Sequence, residues 1–116
     1  MGALGVGNDD AVVVYDSSGQ NFSAPRLWFL LRAFGHARVA VLDGGLTRWL
    51  RDGRPVTLSP TPVVPATFTA RLDPSRVRDT AWVMGNIASG AAQVVDARSA
   101  GRFQAIEPEP RAGVRG

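Results

Sequence analysis

Asp16 closes a run of apolar residues, Ala11 to Tyr15 (AVVVY), and a polar loop from Ser17 to Ser23 follows it. Open α/β sheets place their ligands at the carboxyl ends of strands, so a strand-end carboxylate there is a candidate site residue. Phosphoryl transfer through an aspartyl phosphate would need a second aspartate two residues on, and position 18 is Ser. His36 is the chain's single histidine. A lone histidine can act as a general base, but no Ser or Cys stands in a recognisable arrangement with it. Because it follows the helix-stop Gly35, it reads as a structural residue near a negative helix end. Asp96 and Arg98 form an Asp-x-Arg pair where a second apolar run ends, and a partly buried ion pair there would anchor a loop. Taken by spacing alone, Arg102, Arg111 and Arg115 are solvated loop arginines. Gly2, Gly5 and Gly7 follow no strand and make no nucleotide loop.

Composition removes whole classes of chemistry. The 116 residues contain no cysteine, which excludes disulfides, thiolate zinc sites, iron–sulfur clusters and a cysteine nucleophile within this chain. One histidine excludes a histidine-only metal site, and no metal or cofactor is expected. The 13 basic residues are all Arg, scattered from Arg26 to Arg115. A nucleic-acid face needs such charges clustered, so no nucleic-acid partner is expected despite a pI near 11.0. Apolar runs fall far short of the ~20 residues of a membrane span, so no membrane association is expected. Met1 to Gly7 has no secretory pattern, and the expected compartment is the cytoplasm. A hydrophobic content of 45% excludes a disordered tail.

The elements that must position these residues follow from periodicity. Three successive valines predict a strand buried on both faces, as in a parallel sheet. Ala24–Phe34 predicts a helix with Leu27, Leu30, Leu31 and Phe34 on its buried stripe. Pro25 suits its first turn and Gly35 its end. Arg38–Leu42 predicts a second strand, giving a βαβ unit with a right-handed crossover. Asp43-Gly44-Gly45 is a tight turn, and Leu46–Arg51 is a short helix stopped by Gly53. Pro55 to Pro74 holds five of the eight prolines and should be extended and semi-rigid, a linker between domains. Asp79 is the expected N-cap of a helix to about Ser89, ended by Gly90. Gln93–Asp96 predicts a third strand, and Ala97–Phe103 a helical turn. Trp28, Trp49 and Trp82 read as core residues. The expected fold class is α/β, a parallel sheet with flanking helices in two partial domains joined by an extended proline-rich linker. Each half has too few strands to bury an open sheet, so both ends of the chain look cut.

These residues carry a family resemblance. VVVYD at 12–16, APRLWFLLRAFGH at 24–36 and VLDGGLTRWLRDGRPV at 41–56 resemble the amino-terminal domain of a two-domain rhodanese-type sulfurtransferase. VVDARSAGRF at 94–103 and EPRAGVRG at 109–116 resemble the opening of its catalytic domain. The EPR element is closer to the 3-mercaptopyruvate branch than to the thiosulfate enzymes.

The resemblance implies an internal segment. Residues 1–56 would be the second half of a non-catalytic rhodanese-like domain, 57–76 the linker, and 77–116 the start of the catalytic domain. It implies a two-step sulfur transfer, in which a cysteine thiolate takes sulfur from an anionic donor (3-mercaptopyruvate or thiosulfate) and passes it from a persulfide to a thiol or cyanide. A thiolate nucleophile requires an electropositive site. Arg102 and Arg111 match the family's substrate-anion binders, and a planar guanidinium suits bidentate carboxylate recognition. Arg115 would add positive potential only. The nucleophilic cysteine would lie beyond Gly116, so no catalytic residue is expected here and the chain alone should be inactive. Asp16 stands where the catalytic domain carries its cysteine, and an aspartate cannot become a persulfide. The alternative is a non-catalytic rhodanese-like module used for interaction or regulation.

Overall fold

The structure is a computed structural model that describes residues 1–20, 22–108 and 110. It divides into two compact units, Met1–Arg78 and Asp79–Gly116.

In the first unit the valine run forms strand β1, Val12–Val14. It pairs in parallel with β2, Val39–Val41, in the register Val12 to Val39, Val13 to Ala40 and Val14 to Val41. Parallel neighbours need a crossover, and helix α1, Ala24–Ala33, supplies it. Val14, Ala24, Leu31 and Val39 form the buried cluster, with Met1, Val12, Trp28, Val41 and Phe68 packed around it. This is a small α/β core, with strands of three residues each rather than the longer runs that the apolar pattern predicts.

The buried stripe of α1 is not the predicted one. Of Leu27, Leu30, Leu31 and Phe34, only Leu31 is buried, and the other three stay about 40% exposed. The line that faces the sheet is Ala24, Trp28 and Leu31, spaced i, i+4, i+7. Ala24 has little side chain, which lets the helix approach the strands closely. Leu27, Leu30 and Phe34 instead flank a shallow apolar groove with Met1, Phe68 and Ala70.

Helix α2, Gly45–Arg51, starts one residue before its predicted bound, from Gly44 in the left-handed conformation. Trp49 is half-buried. Its indole N–H donates to Pro55 O at 2.9 Å, and the Arg54 guanidinium stacks over its ring. Residues 56–73 form neither helix nor strand. From residue 66 on the chain is tied to its own unit. Ala66 N–H donates to Gly2 O at 3.0 Å, and Arg71 and Asp73 amides donate to Phe34 O and Ala33 O at 2.9 and 2.7 Å. Asn8 and Thr69 exchange two bonds, Asn8 Nδ2 to Thr69 O at 2.9 Å and Thr69 N to Asn8 Oδ1 at 2.7 Å. Gly35 makes the tight passage that this needs: its φ is +88°, and a Cβ there would lie 3.2 Å from Arg71 O.

The second unit opens with helix α3, Thr80–Ser89. Asp79 caps it, accepting from Trp82 N at 2.8 Å, and Gly90 ends it with φ 61°. Asn86 is buried and clips the chain back by bonds to Ala92 O and from Ala92 N, both 2.8 Å. The predicted strand at 93–96 does not form: among the described residues nothing pairs with the segment. A strand exists only through its ladder, and Val94 and Val95 stay exposed. A single turn, α4, Ala100–Phe103, follows with Ser99 as N-cap. Trp82 is also 39% exposed rather than a core residue. No helix among the described residues is long and apolar enough to cross a membrane.

Candidate functional site

Two loops at strand-like ends hold the candidate residues, one in each unit. The first follows β1. Asp16 Oδ1 accepts from the Ser18 amide at 3.0 Å and the Ser18 hydroxyl at 2.6 Å. Its Oδ2 accepts from the Ser23 amide at 3.0 Å, the Ser23 hydroxyl at 3.3 Å and the Ala24 amide at 3.1 Å. Ala24 is the first residue of α1, and Ser23 makes no side-chain cap of its own. Asp16 therefore does the capping from eight residues away, placing a negative charge where the helix dipole favours it. The Ser18 hydroxyl bond, then the Ala24 amide and the other donors, hold this carboxyl well below the ordinary carboxylate range. Five donors occupy the carboxylate, and the residue two positions on, Ser18, supplies two of them. That geometry describes an anchor for the loop and overturns the aspartyl-phosphate reading.

The second loop follows the apolar run ending at Asp96. Asp96 Oδ1 accepts from the Arg98 amide, and its Oδ2 accepts from Arg98 Nε and pairs with Arg98 Nη2, all at 2.8 Å. The Asp-x-Arg pair thus forms as predicted, with both side chains about 30% exposed. The Arg98 side-chain bond, its amide, and the charges of Arg98 and Arg102 lower the Asp96 carboxyl. Arg102 lies in α4 and is half-buried. Its amide donates to Ser99 Oγ at 3.4 Å. Arg111 and Arg115 lie outside the described residues, so the structure places one of the two predicted anion binders.

Glu107 is a member of this cluster that the residue pattern does not single out. The Ser99 hydroxyl donates to Glu107 Oε2 at 2.9 Å, and the amides of Ile106 and Glu107 donate to Gly101 O at 2.9 and 3.1 Å. Nothing in sequence spacing marks a glutamate eight residues beyond a helix cap as that cap's partner.

His36 is fully buried, and neither ring nitrogen has a hydrogen-bond partner among the described residues. Its ring lies 5.7 Å from that of Phe68, tilted by 37°. It faces no nucleophile and serves packing. No group of three or more metal-ligating side chains occurs among the described residues.

Comparison with known proteins bears on the family and the fold. Residues 2–52 match the rhodanese-like domain. Over 114 residues the chain is 47% identical to 3-mercaptopyruvate sulfurtransferase of Rattus norvegicus, covering 97% of this chain and 38% of that protein. It is 46% identical over 111 residues to thiosulfate sulfurtransferase of Cricetulus griseus, covering 95% of this chain and 37% of the relative. Among solved structures it is similar to SseA from Escherichia coli, whose crystal structure is described with the rhodanese fold and the catalytic mechanism of 3-mercaptopyruvate sulfotransferases. The TM-score is 0.79 at 38% identity, over 96% of this chain and 42% of that one. The chain thus spans somewhat over a third of the length of the curated relatives it matches.

Proposed function

This chain belongs to the rhodanese family and is homologous to 3-mercaptopyruvate and thiosulfate sulfurtransferases along 95–97% of its length, and from that premise we propose that it supplies part of the donor-binding wall of a sulfurtransferase while being inactive by itself. In this reading residues 1–56 belong to a non-catalytic rhodanese-like domain, 57–76 connect, and 77–116 open the catalytic domain. Arg102, with Arg111, binds the anionic donor, 3-mercaptopyruvate or thiosulfate. The sulfur then passes through a cysteine persulfide to a thiol or cyanide, on a cysteine that these 116 residues do not contain. A guanidinium fork is suited to the carboxylate or sulfonate oxygens of such donors.

The observation that carries the reading is the family match combined with a cysteine-free sequence, whose strand-end position 16 is an aspartate saturated by its own loop. The test is sulfur transfer from 3-mercaptopyruvate or thiosulfate to cyanide by the purified 116-residue chain. Thiocyanate at the no-protein level is expected, and production above it overturns the claim of inactivity. A second reading, a non-catalytic interaction module, is favoured by the same silent, well-tied Asp16 loop. It requires the isolated chain to melt in one sharp transition, and a broad, non-cooperative melt removes it.

A further inference from the structure

Helix α4 is four residues long, too short to hold its own geometry in water. Four hydrogen bonds close the chain around it. Ser99 Oγ accepts from the Arg102 amide at 3.4 Å and donates to Glu107 Oε2 at 2.9 Å. The amides of Ile106 and Glu107 both donate to Gly101 O. The Glu107 side chain also lies directly over Gly101: a Cβ there would meet Glu107 Cδ at 2.6 Å and Oε1 at 2.7 Å. Position 101 therefore has room for the carboxylate only because it has no side chain.

We propose that Glu107 is a positioning residue for Arg102: by accepting the Ser99 hydroxyl hydrogen and seating against Gly101, it closes residues 99–107 into a loop that fixes the backbone carrying the donor-binding guanidinium. The inference rests on the reading of Arg102 as an anion binder. Glu107 touches no substrate in this role, and it acts by preorganising a residue that does, which lowers the ordering cost of binding. Because the bond it accepts comes from a neutral hydroxyl, a glutamine Oε1 can replace it. An alanine cannot. Alanine at position 101 would push the Glu107 side chain aside without removing it.

The test is a titration of the isotope-labelled 116-residue chain with sodium thiosulfate and, separately, 3-mercaptopyruvate, following the backbone amides of 99–107. Glu107→Ala and Gly101→Ala are each expected to weaken donor binding on the order of ten-fold, the scale of one lost hydrogen bond with its ordering. Glu107→Gln should stay within about three-fold of the parent, and Gly101→Ala should have no further effect in the Glu107→Ala background. Melting temperatures should be unchanged across the set. Parent-like binding by Glu107→Ala, with binding lost in Arg102→Leu, overturns the positioning role and leaves the reading of Arg102 standing. A glutamine variant as weak as the alanine one overturns the hydrogen-bonded clamp. No binding by the parent, or parent-like binding by Arg102→Leu, overturns the reading of Arg102 and the role of Glu107 with it.

Discussion

Asp16 shows how one residue type acquires a role from its donors. Its carboxylate gathers two hydroxyls and three amides, so its charged form is the one the fold stabilises. Asp73 and Asp96 are lowered likewise, by Ser75 and by Arg98 respectively. A depressed folded-state pKa contributes stability that is present above the ordinary value of 3.8 and is lost as pH falls through it toward the folded value. Urea midpoints measured from pH 7 downward should therefore hold until about pH 5 and decline below it. In Asp16→Asn the plateau should be lower and the acid decline shallower. An unaltered acid slope in that variant would remove Asp16 from the account. His36 carries the opposite case, a buried ring whose nitrogens have no hydrogen-bond partner among the described residues. Since an apolar replacement of an unsatisfied polar group can be neutral or stabilising, His36→Leu should change stability by no more than about 1 kcal/mol in either direction. A loss above about 2 kcal/mol, read from chemical denaturation, would mean that the ring nitrogens have partners in solution.

At the scale of elements, α1 separates what a pattern can specify from what it cannot. Its existence, its proline start and its glycine stop are written locally and are all present. Its orientation is not, because Leu27, Leu30 and Phe34 are as apolar as Leu31, and only docking onto β1 and β2 selects Leu31. Leu31→Ala should therefore cost about 2–4 kcal/mol as a core truncation, and Leu30→Ala less than about 1 kcal/mol as a surface change. Equal losses in urea melts would mean that the helix buries its other stripe in solution. The segment 93–96 makes the same point for strands: VV before an aspartate has the right character, but a ladder needs a second strand, and no four residues encode their partner. The Asp96–Arg98 pair was legible because its members are two residues apart. Glu107 was not, since its meaning comes from a turn that brings position 107 back over position 101.

For the molecule as a whole, the buried apolar set is small, five residues among those described: Val14, Ala24, Leu31, Ala33 and Val39. Against it stand exposed apolar surfaces on both units, including the groove between Val13, Tyr15, Leu42, Leu46, Trp49 and Val56. Contiguous apolar surface of this kind drives association and binds hydrophobic dyes. The isolated chain should elute from a sizing column at a volume that shifts with concentration over the micromolar range, and should enhance the fluorescence of an anionic naphthalene dye at neutral pH. A concentration-independent monomer with no dye binding would contradict the exposure of these faces.

The arm that returns to Asn8 sets the order of assembly. Asn8 and Thr69 are 61 positions apart, whereas β1, α1 and β2 meet within about half that span. Joining distant parts of a chain requires an entropic loss that grows with the length enclosed, and contacts of long range form late. The βαβ unit should thus acquire protection first, with the amides of Thr69, Arg71 and Asp73 closing over it afterwards. Pulsed hydrogen exchange during refolding would see them as the last amides of the first unit to become slow. By the same logic they would be the first to open, so the seam at Asn8 is where the fold begins to come undone.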